Sequence, residues 1–293
     1  FGSSLLGTPP SGLPPRLPAL RGAPEAEPRR PTLLPTPGGG RMAAAALAAA
    51  RAQLAPTGVL RSAINLSNIL LVTGRSAAGE PEGVAPDMAA ELARRLGVEA
   101  RLVPFPHPDR LCDAAGDGLW DVALVGADPA RAARIDFTAA YCEIQATYMV
   151  PASSSAGAVA DVDRPGARVA VKGGGAYDLW LTRNLRHAEL LRAETLDASY
   201  DLFRDQDLDA LAGLRPKLMS DLEKEPGRHR VLDGAFMSVQ QAVGCLKTED
   251  GSQAGFDFIS RFAEEAKSSG LVQELIDRHG VTGRLSVAPL ADA

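Results

Sequence analysis

The stretch GLWDVALVGADPARAARIDFTAAY, residues 118–141, decides the fold that we predict for this chain. Its apolar run at residues 121–126 is typical of a buried parallel strand. Asp128 and Pro129 follow, and these residue types favour the N-cap and the first position of a helix. Ligands of open α/β sheets bind at such a strand-to-helix junction, because free backbone N–H groups and the positive end of the helix dipole face a crevice there. The stretch therefore predicts a binding site where this strand ends.

Arg131 falls in the first turn of the predicted helix, beside that crevice. A guanidinium is a planar fork that holds a carboxylate through two parallel hydrogen bonds. A lone arginine near a helix start is more often a solvated surface charge, and its position behind Gly126 and Asp128 is what favours binding here. Residues 135–138 are predicted to form another short strand. Arg131 is thus the main candidate for ligand binding.

Residues 126–141 resemble the T-x-E-R-…-D-F-S-x-P-Y region of the bacterial family 3 solute-binding proteins, the amino-acid-type binding proteins of ABC importers. In that family, the arginine matched by Arg131 holds the α-carboxylate of the ligand. The threonine whose hydroxyl usually reaches the ligand is matched by Asp128, and the spacing from strand to arginine is shorter than usual. Helix capping alone also explains Asp128, at about 1 kcal/mol. A ligand contact and a purely structural role are both open for this residue.

The order of the predicted elements favours an α/β fold. A strand at 59–65, a helix at 86–96 with its apolar residues on one face, and a strand at 98–105 give the βαβαβ alternation of a parallel sheet. Strands and helices alternate again from residue 168. The resemblance implies a two-lobed, type II periplasmic-binding-protein-like fold, in which each lobe is a mostly parallel sheet flanked by helices and two extended crossovers join the lobes. The predicted divisions are a disordered Pro/Gly/Ala-rich extension at 1–55, a first lobe at 56–148 and 241–284, a second lobe at 149–240, and a tail at 285–293.

Bulk composition excludes several classes of function. The 293 residues carry a net charge of −5, and 5% of them are aromatic, which argues against a nucleic-acid binder with a basic face and stacking platforms. No run approaches the ~18 apolar residues of a transmembrane helix. The sequence shows no Cys/His cluster, so we predict no metal and no cofactor. We predict that Cys112, Cys142 and Cys245 are buried free thiols. One disulfide plus one free thiol is the alternative.

The second lobe is expected to supply a glycine-rich turn opposite Arg131. The run VKGGGAY, residues 171–177, resembles the strand, G-T/S turn and helix start whose backbone amides bind the ligand's carboxylate in the family. Glycine lets a backbone approach an anion closely, and a helix N-terminus favours negative charge. Most glycine-rich turns are simply turns, so this motif is weak by itself. The predicted contacts from it are Gly174, Gly175, Ala176 and Tyr177.

Arg215 marks a departure from the family. In the family, a strand of the second lobe normally ends with the motif D-A-x-x-x-D, and the last aspartate pairs with the ligand's ammonium. Here Leu214 occupies that place and Arg215 follows it, so no carboxylate at this step neutralises an ammonium. The aromatic residues that stack the ligand are also missing. We therefore predict a small anionic ligand, a carboxylate or dicarboxylate, held by Arg131 and Arg215. A solvated surface position is the equal alternative for Arg215.

Amide side chains complete the predicted site. Asn65, Asn68 and Gln241 lie at the end of the first strand and in the returning crossover, where their amides would donate hydrogen bonds to a ligand. Asparagine is equally typical of turns. The alternative role for Gln241 is to form hydrogen bonds with backbone groups at a hinge.

The resemblance implies the substrate-binding component of an ABC-type transport system, a monomer that delivers its ligand to a permease. The alternative on the same fold is an enzyme similar to cyclohexadienyl dehydratase, with Glu143 as the catalytic acid. A receptor ligand core is discounted, because no membrane span or signalling domain is seen. The family resemblance implies a periplasmic location. The run from Met42 is typical of a short Ala-rich helix and lacks the cationic start and apolar core of a signal peptide, so a cytoplasmic protein starting at Met42 is the alternative.

Overall fold

A computed structural model describes residues 39–248 and 251–291. Residues 1–38 of the predicted extension lie outside the described residues. The helices of the described part are α1 (Gly39–Leu54), α2 (Val84–Leu96), α3 (Pro108–Asp113), α4 (Ala176–Asn184), α5 (Leu196–Asp205), α6 (Arg215–Leu222), α7 (Ala254–Ser268) and α8 (Leu271–Arg278).

The strands are mostly short and form one large mixed sheet and one small hairpin. They are β1 (Val59–Asn65), β2 (Gly74–Arg75), β3 (Pro81–Glu82), β4 (Glu99–Phe105), β5 (Val122–Gly126), β6 (Ile135–Phe137), β7 (Cys142–Pro151), β8 (Arg168–Lys172), β9 (Glu189–Ala193), β10 (Ala210–Leu214), β11 (His229–Val231), β12 (Met237–Leu246) and β13 (Ser286–Val287).

Sheet order shows how the two lobes are joined. The strands run β4-β1-β5-β12-β7-β10-β8-β9. Within the first lobe β1 pairs in parallel with β4 and β5, and within the second lobe β8 pairs in parallel with β9 and β10. The long strands β7 and β12 pair with each other in antiparallel fashion between these two groups. The predicted two-lobed α/β fold with two extended crossovers is confirmed. The exact lobe boundaries at 148 and 240 stay predictions, because each lies inside a continuous strand.

The first lobe has helices on both faces of its sheet, and each face has its own core. Met88, Leu92 and Leu96 of α2 are fully buried, because their four-residue steps place them on one face of the helix. They pack with α7, α8 and the sheet, whereas Leu111 and Trp120 belong to a core on the opposite face. The second lobe repeats this arrangement with two further cores. Its parallel strands are therefore buried on both sides, as their apolar sequences require.

Two expectations about local structure are wrong. Disorder as far as residue 55 is wrong for residues 39–54, which form α1, as the Ala-rich run from Met42 suggests; Ala50 and Leu54 are buried in the core of the first lobe. The helix predicted after Asp128 is only a 3₁₀ turn, Arg131–Ala133. It ends there because the chain must already be extended at Ile135, which pairs with Leu246 of β12.

Cys142 and Cys245 are buried free thiols, as the sequence predicts, whereas Cys112 is free but only half-buried. Among the described residues, no helix combines the length and the apolar character needed to cross a membrane. In the same part of the chain, no group of three or more His, Cys, Asp or Glu side chains is placed to hold a metal ion.

Candidate functional site

A cavity of about 50 Å³ lies between the two lobes, where the carboxyl ends of β1, β5 and β8 meet. This volume holds on the order of a few water molecules. The first lobe contributes Asn65, Ser67, Asn68, Pro108, Gly126 and Arg131 to its walls. The second lobe contributes Lys172, Gly175, Ala176, Tyr177, Leu196 and Leu214, and the crossover β12 contributes Val239 and Gln241. A ligand larger than a few water molecules therefore fits only if the lobes move apart.

Arg131 connects the lobes across this cavity. Its residue is only 8% exposed, and its guanidinium donates to the carbonyl oxygen of Gly126 at 2.5 Å and to that of Gly174 at 2.9 Å. Gly126 ends β5 in the first lobe, whereas Gly174 belongs to the second. The planar fork expected to hold a carboxylate therefore holds two carbonyl groups in this closed arrangement.

The glycine-rich turn lies opposite Arg131. One of its backbone N–H groups already donates to a side-chain carboxylate of the same chain. Asp178 Oδ2, in the first turn of α4, accepts a hydrogen bond from the backbone N–H of Gly174 at 2.9 Å. Asp178 Oδ1 accepts one from Arg192 Nε at 3.0 Å. Gly174 does not line the cavity, whereas Gly175, Ala176 and Tyr177 do. The buried hydroxyl of Tyr177 has no hydrogen-bond partner among the described residues, so it is available as a donor.

Lys172 is the functional candidate that sequence reasoning missed. It is the last residue of β8 and is 4% exposed, and it lines the cavity. Burial lowers the pKa of its ammonium; Asp109 and Asp178 partly oppose this shift, whereas Arg131 adds to it. Its place at the carboxyl end of a parallel strand, directly before the glycine turn, is the same signal that singled out Arg131.

The three predicted amide side chains line the cavity, and both asparagines also form turns. Asn65 Oδ1 accepts from the backbone N–H and the hydroxyl of Ser67, at 3.1 and 2.8 Å. Asn68 Oδ1 accepts from the backbone N–H of Leu70 at 3.2 Å. These bonds use only the carbonyl end of each amide. Over residues 39–248 and 251–291, the NH₂ groups of Asn65, Asn68 and Gln241 carry no hydrogen bond, which leaves them available to a ligand.

Asp128 lies near the cavity but outside its lining residues. Its Oδ1 accepts a hydrogen bond from the backbone N–H of Ala130 at 2.8 Å, which is the capping role expected from its position. Its carboxylate is also gripped by Arg183 of α4, at 2.6 and 3.0 Å. This ion pair joins the lobes, because Arg183 belongs to the second lobe. Asp128 therefore bonds to an arginine of its own chain rather than facing the cavity.

Arg215 and Glu143 are not brought to the cavity. The guanidinium of Arg215 donates to Gln145 Oε1 at 3.0 Å and to two backbone carbonyl oxygens of the loop after β11. Leu214, its neighbour, supplies the lining instead. Glu143 lies in β7 opposite Gln240 of β12 and outside the lining residues. The geometry thus replaces Arg215 with Lys172 as the second cation and offers Glu143 no contact with a ligand in the cavity.

The ion pair between Asp128 and Arg183 gives a direct test of lobe closure. We expect Arg183→Gln to shift the free protein toward an open arrangement and to weaken ligand binding about fivefold, since an ion pair with one exposed partner contributes up to about 1 kcal/mol. Small-angle X-ray scattering would measure the increase in radius of gyration. Arg204→Gln is the matched control, because Arg204 pairs with Asp201 and Asp205 on the surface of the second lobe. An unchanged radius in Arg183→Gln would contradict the expected role.

A family model identifies the relatives of this chain. Residues 72–282 match the model of the bacterial extracellular solute-binding proteins, family 3. The chain belongs to this family. The resemblance noted in the sequence is therefore confirmed at the level of the family. No curated protein matches the chain.

Solved structures similar to this family 3 binding protein share its two-lobed fold. A putative ABC transporter binding component from Wolinella succinogenes, complexed with lysine, is 20% identical; the match covers 76% of this chain and 95% of that one, with a TM-score of 0.62. The amino acid ABC transporter substrate-binding protein AbpA from Streptococcus pneumoniae, bound to L-arginine, is 20% identical over 77% and 96% of the chains, with a TM-score of 0.62. An ancestral amino acid-binding protein, AncCDT-1, described as a precursor of cyclohexadienyl dehydratase, is 19% identical over 76% and 96%, with a TM-score of 0.60. At this identity the likeness shows the fold alone.

Proposed function

We propose that this family 3 binding protein captures a small carboxylate anion in the interlobe cavity, as the substrate-binding component of an ABC importer. The observation that carries the proposal is the charge of the cavity wall. Two cationic side chains, Arg131 and Lys172, line it, and no carboxylate does so among the described residues. Neither cation has a carboxylate partner in this wall, and cations that are largely withdrawn from water attract an anion, so the wall favours an anionic ligand.

Cationic amino acids fit this wall poorly. The Wolinella succinogenes and Streptococcus pneumoniae proteins are bound to lysine and L-arginine, which carry an α-ammonium and a charged side chain. In this cavity both positive groups of such a ligand would approach Arg131 and Lys172 with no carboxylate to receive them. An acid without an ammonium avoids that cost. The α-carboxylate contact expected of Arg131 is retained in this proposal, whereas the ammonium contact is not.

Hinge closure is the proposed mechanism of capture. The paired crossovers β7 and β12 are the described chain segments that pass between the lobes, so rotation about them would open the cavity. An entering carboxylate would displace the Gly126 and Gly174 carbonyls from the Arg131 guanidinium and accept its hydrogen bonds. Closure would then seal the anion under Tyr177 and the amides of Asn65, Asn68 and Gln241.

A binding protein is favoured over a dehydratase by the position of the carboxyl groups. Glu143 lies outside the cavity wall, and no other described lining residue would act as a carboxylic acid. We therefore expect that the protein does not consume prephenate. Incubation with prephenate, monitored by absorbance, would test this. Turnover at the rate of an enzyme would overturn the assignment and favour the alternative, an enzyme similar to cyclohexadienyl dehydratase.

The proposal extends to partners and location. A binding protein of this family would work outside the cytoplasmic membrane and deliver its ligand to an ABC permease, and we propose that it does so as a monomer. Size-exclusion chromatography with light scattering would test the last point.

A panel of ligands tests the anion preference. We expect small carboxylates that lack an ammonium to bind about 100-fold or more tightly than L-lysine or L-arginine, because an unpaired buried ammonium costs about 3 kcal/mol or more. Isothermal titration calorimetry with succinate, glutarate, butyrate and the two amino acids would measure this difference. Tightest binding by either cationic amino acid would contradict the proposal.

A further inference from the structure

Lys172 is a largely buried residue whose ammonium faces the interlobe cavity, and the described chain provides no direct partner for this charge. The residue is 4% exposed and lines the interlobe cavity. Over residues 39–248 and 251–291, its Nζ makes no hydrogen bond and no ion pair. An ammonium that is partly withdrawn from water and has no anionic partner is costly, so an anion in the cavity would be stabilised by it.

The nearest acidic groups do not remove this cost. Asp178 attracts the ammonium, but its two oxygens already accept from Gly174 N–H and Arg192 Nε. Asp109 of α3 attracts it as well, yet it lies outside the cavity wall and its buried Oδ1 has no hydrogen-bond partner in the described part of the chain. Desolvation remains the largest influence on Lys172 and holds the pKa of the ammonium below its usual range.

Arg131 and Lys172 belong to opposite lobes and face one cavity. Arg131 is fixed in the first lobe by the turn that follows β5, and Lys172 ends β8 in the second. A ligand with one anionic group compensates one of these cations and leaves the other buried and unpaired. A ligand with two anionic groups compensates both and also links the lobes directly.

We propose that the ligand carries two anionic groups, one held by Arg131 and the other by Lys172, so that Lys172 determines selectivity for a dianion over a monoanion. The simplest such ligand is a short dicarboxylate without an ammonium. This inference rests on the proposed function of the same cavity and adds to it the charge of the ligand and the residue that reads it.

The proposal implies a coupling between binding and protonation. A bound anion beside Lys172 stabilises its ammonium, so binding would raise the pKa that burial lowers. The charged groups that act on Lys172 are Asp109 from α3, Asp178 from α4 and Arg131 from the 3₁₀ turn. Affinity for a dianion should therefore fall as the pH rises through the lowered pKa of Lys172, whereas a variant without this amine should not show the fall.

The test compares succinate with butyrate, which has the same chain length and one carboxylate fewer. In the wild-type protein we expect succinate to bind about 100-fold more tightly, because butyrate leaves one buried cation unpaired. In Lys172→Met we expect that preference to shrink to about threefold or less through loss of succinate affinity, while butyrate affinity changes about twofold or less. Lys172→Arg should restore most of the preference, since it keeps the positive charge. Calorimetry measures all three proteins, and the pH series is run on the first two.

Stability of the unliganded protein separates ligand recognition from a structural role. Methionine is an apolar side chain of similar length, so Lys172→Met should unfold at the same temperature as the wild type or at a higher one. A clearly lower unfolding temperature would mean that Lys172 serves as the partner of Asp109 in the fold, and would overturn the inference. Equal binding of succinate and butyrate by the wild type would also overturn it while leaving acid binding intact. Binding of neither acid, with binding of cationic amino acids, would overturn the proposed function itself.

Discussion

Replacing Arg131 with alanine should abolish ligand binding and leave the protein folded. The guanidinium is the cation that the first lobe contributes to the cavity wall, and losing a buried, charged partner of a carboxylate costs about 3–5 kcal/mol. That corresponds to a loss of affinity of roughly 150-fold to 5,000-fold. Isothermal titration calorimetry with the best-binding carboxylate measures the loss. Thermal unfolding should show a much smaller effect, since the two carbonyl groups that Arg131 contacts each lose a bond worth about 1 kcal/mol.

Arg134→Ala is the matched control for this prediction. Arg134 lies in the same segment, and it too donates to backbone carbonyl oxygens, those of Asp113 and Ala115, but both belong to the first lobe. It does not line the interlobe cavity. We expect its variant to bind ligand as the wild type does. Unchanged affinity in Arg131→Ala, or an equal loss in both variants, would mean that Arg131 does not hold the ligand.

Adding a side chain at Gly126 should block closure of the lobes. A Cβ atom built at Gly126 would lie 3.1 Å from Val239 Cγ1 and 3.3 Å from Ala176 Cβ. Ala176 belongs to the second lobe, so the branched side chain of Gly126→Val would press against that lobe whenever the cavity closes. Valine suits an extended strand, and Gly126 does not adopt a positive φ, so the first lobe should still fold. We expect affinity to fall about 100-fold or more, because the closed arrangement is the one that holds the ligand.

Small-angle X-ray scattering separates blocked closure from a lost ligand contact. The wild-type protein should become more compact when ligand is added, whereas Gly126→Val should not. Gly74→Val is the control, because Gly74 is also a strand glycine of the first lobe and the nearest atom to its added Cβ is Glu82 Oε2 at 3.9 Å. Ligand-induced compaction of Gly126→Val equal to that of the wild type would show that Gly126 does not limit closure.

The sequence predicts the individual strands and helices well because their signals are local, whereas the two-lobed arrangement was implied by the family resemblance. The apolar run that became β5 and the four-residue spacing of Met88, Leu92 and Leu96 each determine an element without reference to distant residues. The crossover β12 was recognisable for the same reason, as an extended apolar segment that returns to the first lobe. Each of these patterns requires burial on particular faces, and a two-lobed parallel sheet satisfies all of them.

The site was only partly predictable because its contacts join residues far apart in the chain. The position of Arg131 followed from its place after β5, but its bond to Gly174 depends on how closely the lobes approach. The pairing of Asp128 with Arg183, fifty-five residues later, has no local signature. The prediction that Arg215 contacts the ligand failed because the position of a residue on the chain does not determine where a long side chain reaches. Arg215 follows the strand that lines the cavity, yet its long side chain reaches the loop after β11 and bonds to carbonyl oxygens there.

The helix predicted after Asp128 shows how tertiary pairing overrides local preference. Asp128 and Pro129 favour a helix start, and the carbonyl oxygen of Asp128 does accept from the backbone N–H groups of Arg131 and Ala132. The pairing of β6 with β12 then leaves room for a single turn.

Native mass spectrometry of freshly purified protein, after expression without added ligand, tests the central claim most directly. If the cavity between the lobes holds an acid through Arg131 and Lys172, the wild-type protein should carry a small acidic molecule without an amino group, and Arg131→Ala should carry none. A co-purified lysine or arginine, retained equally by both proteins, would contradict the account.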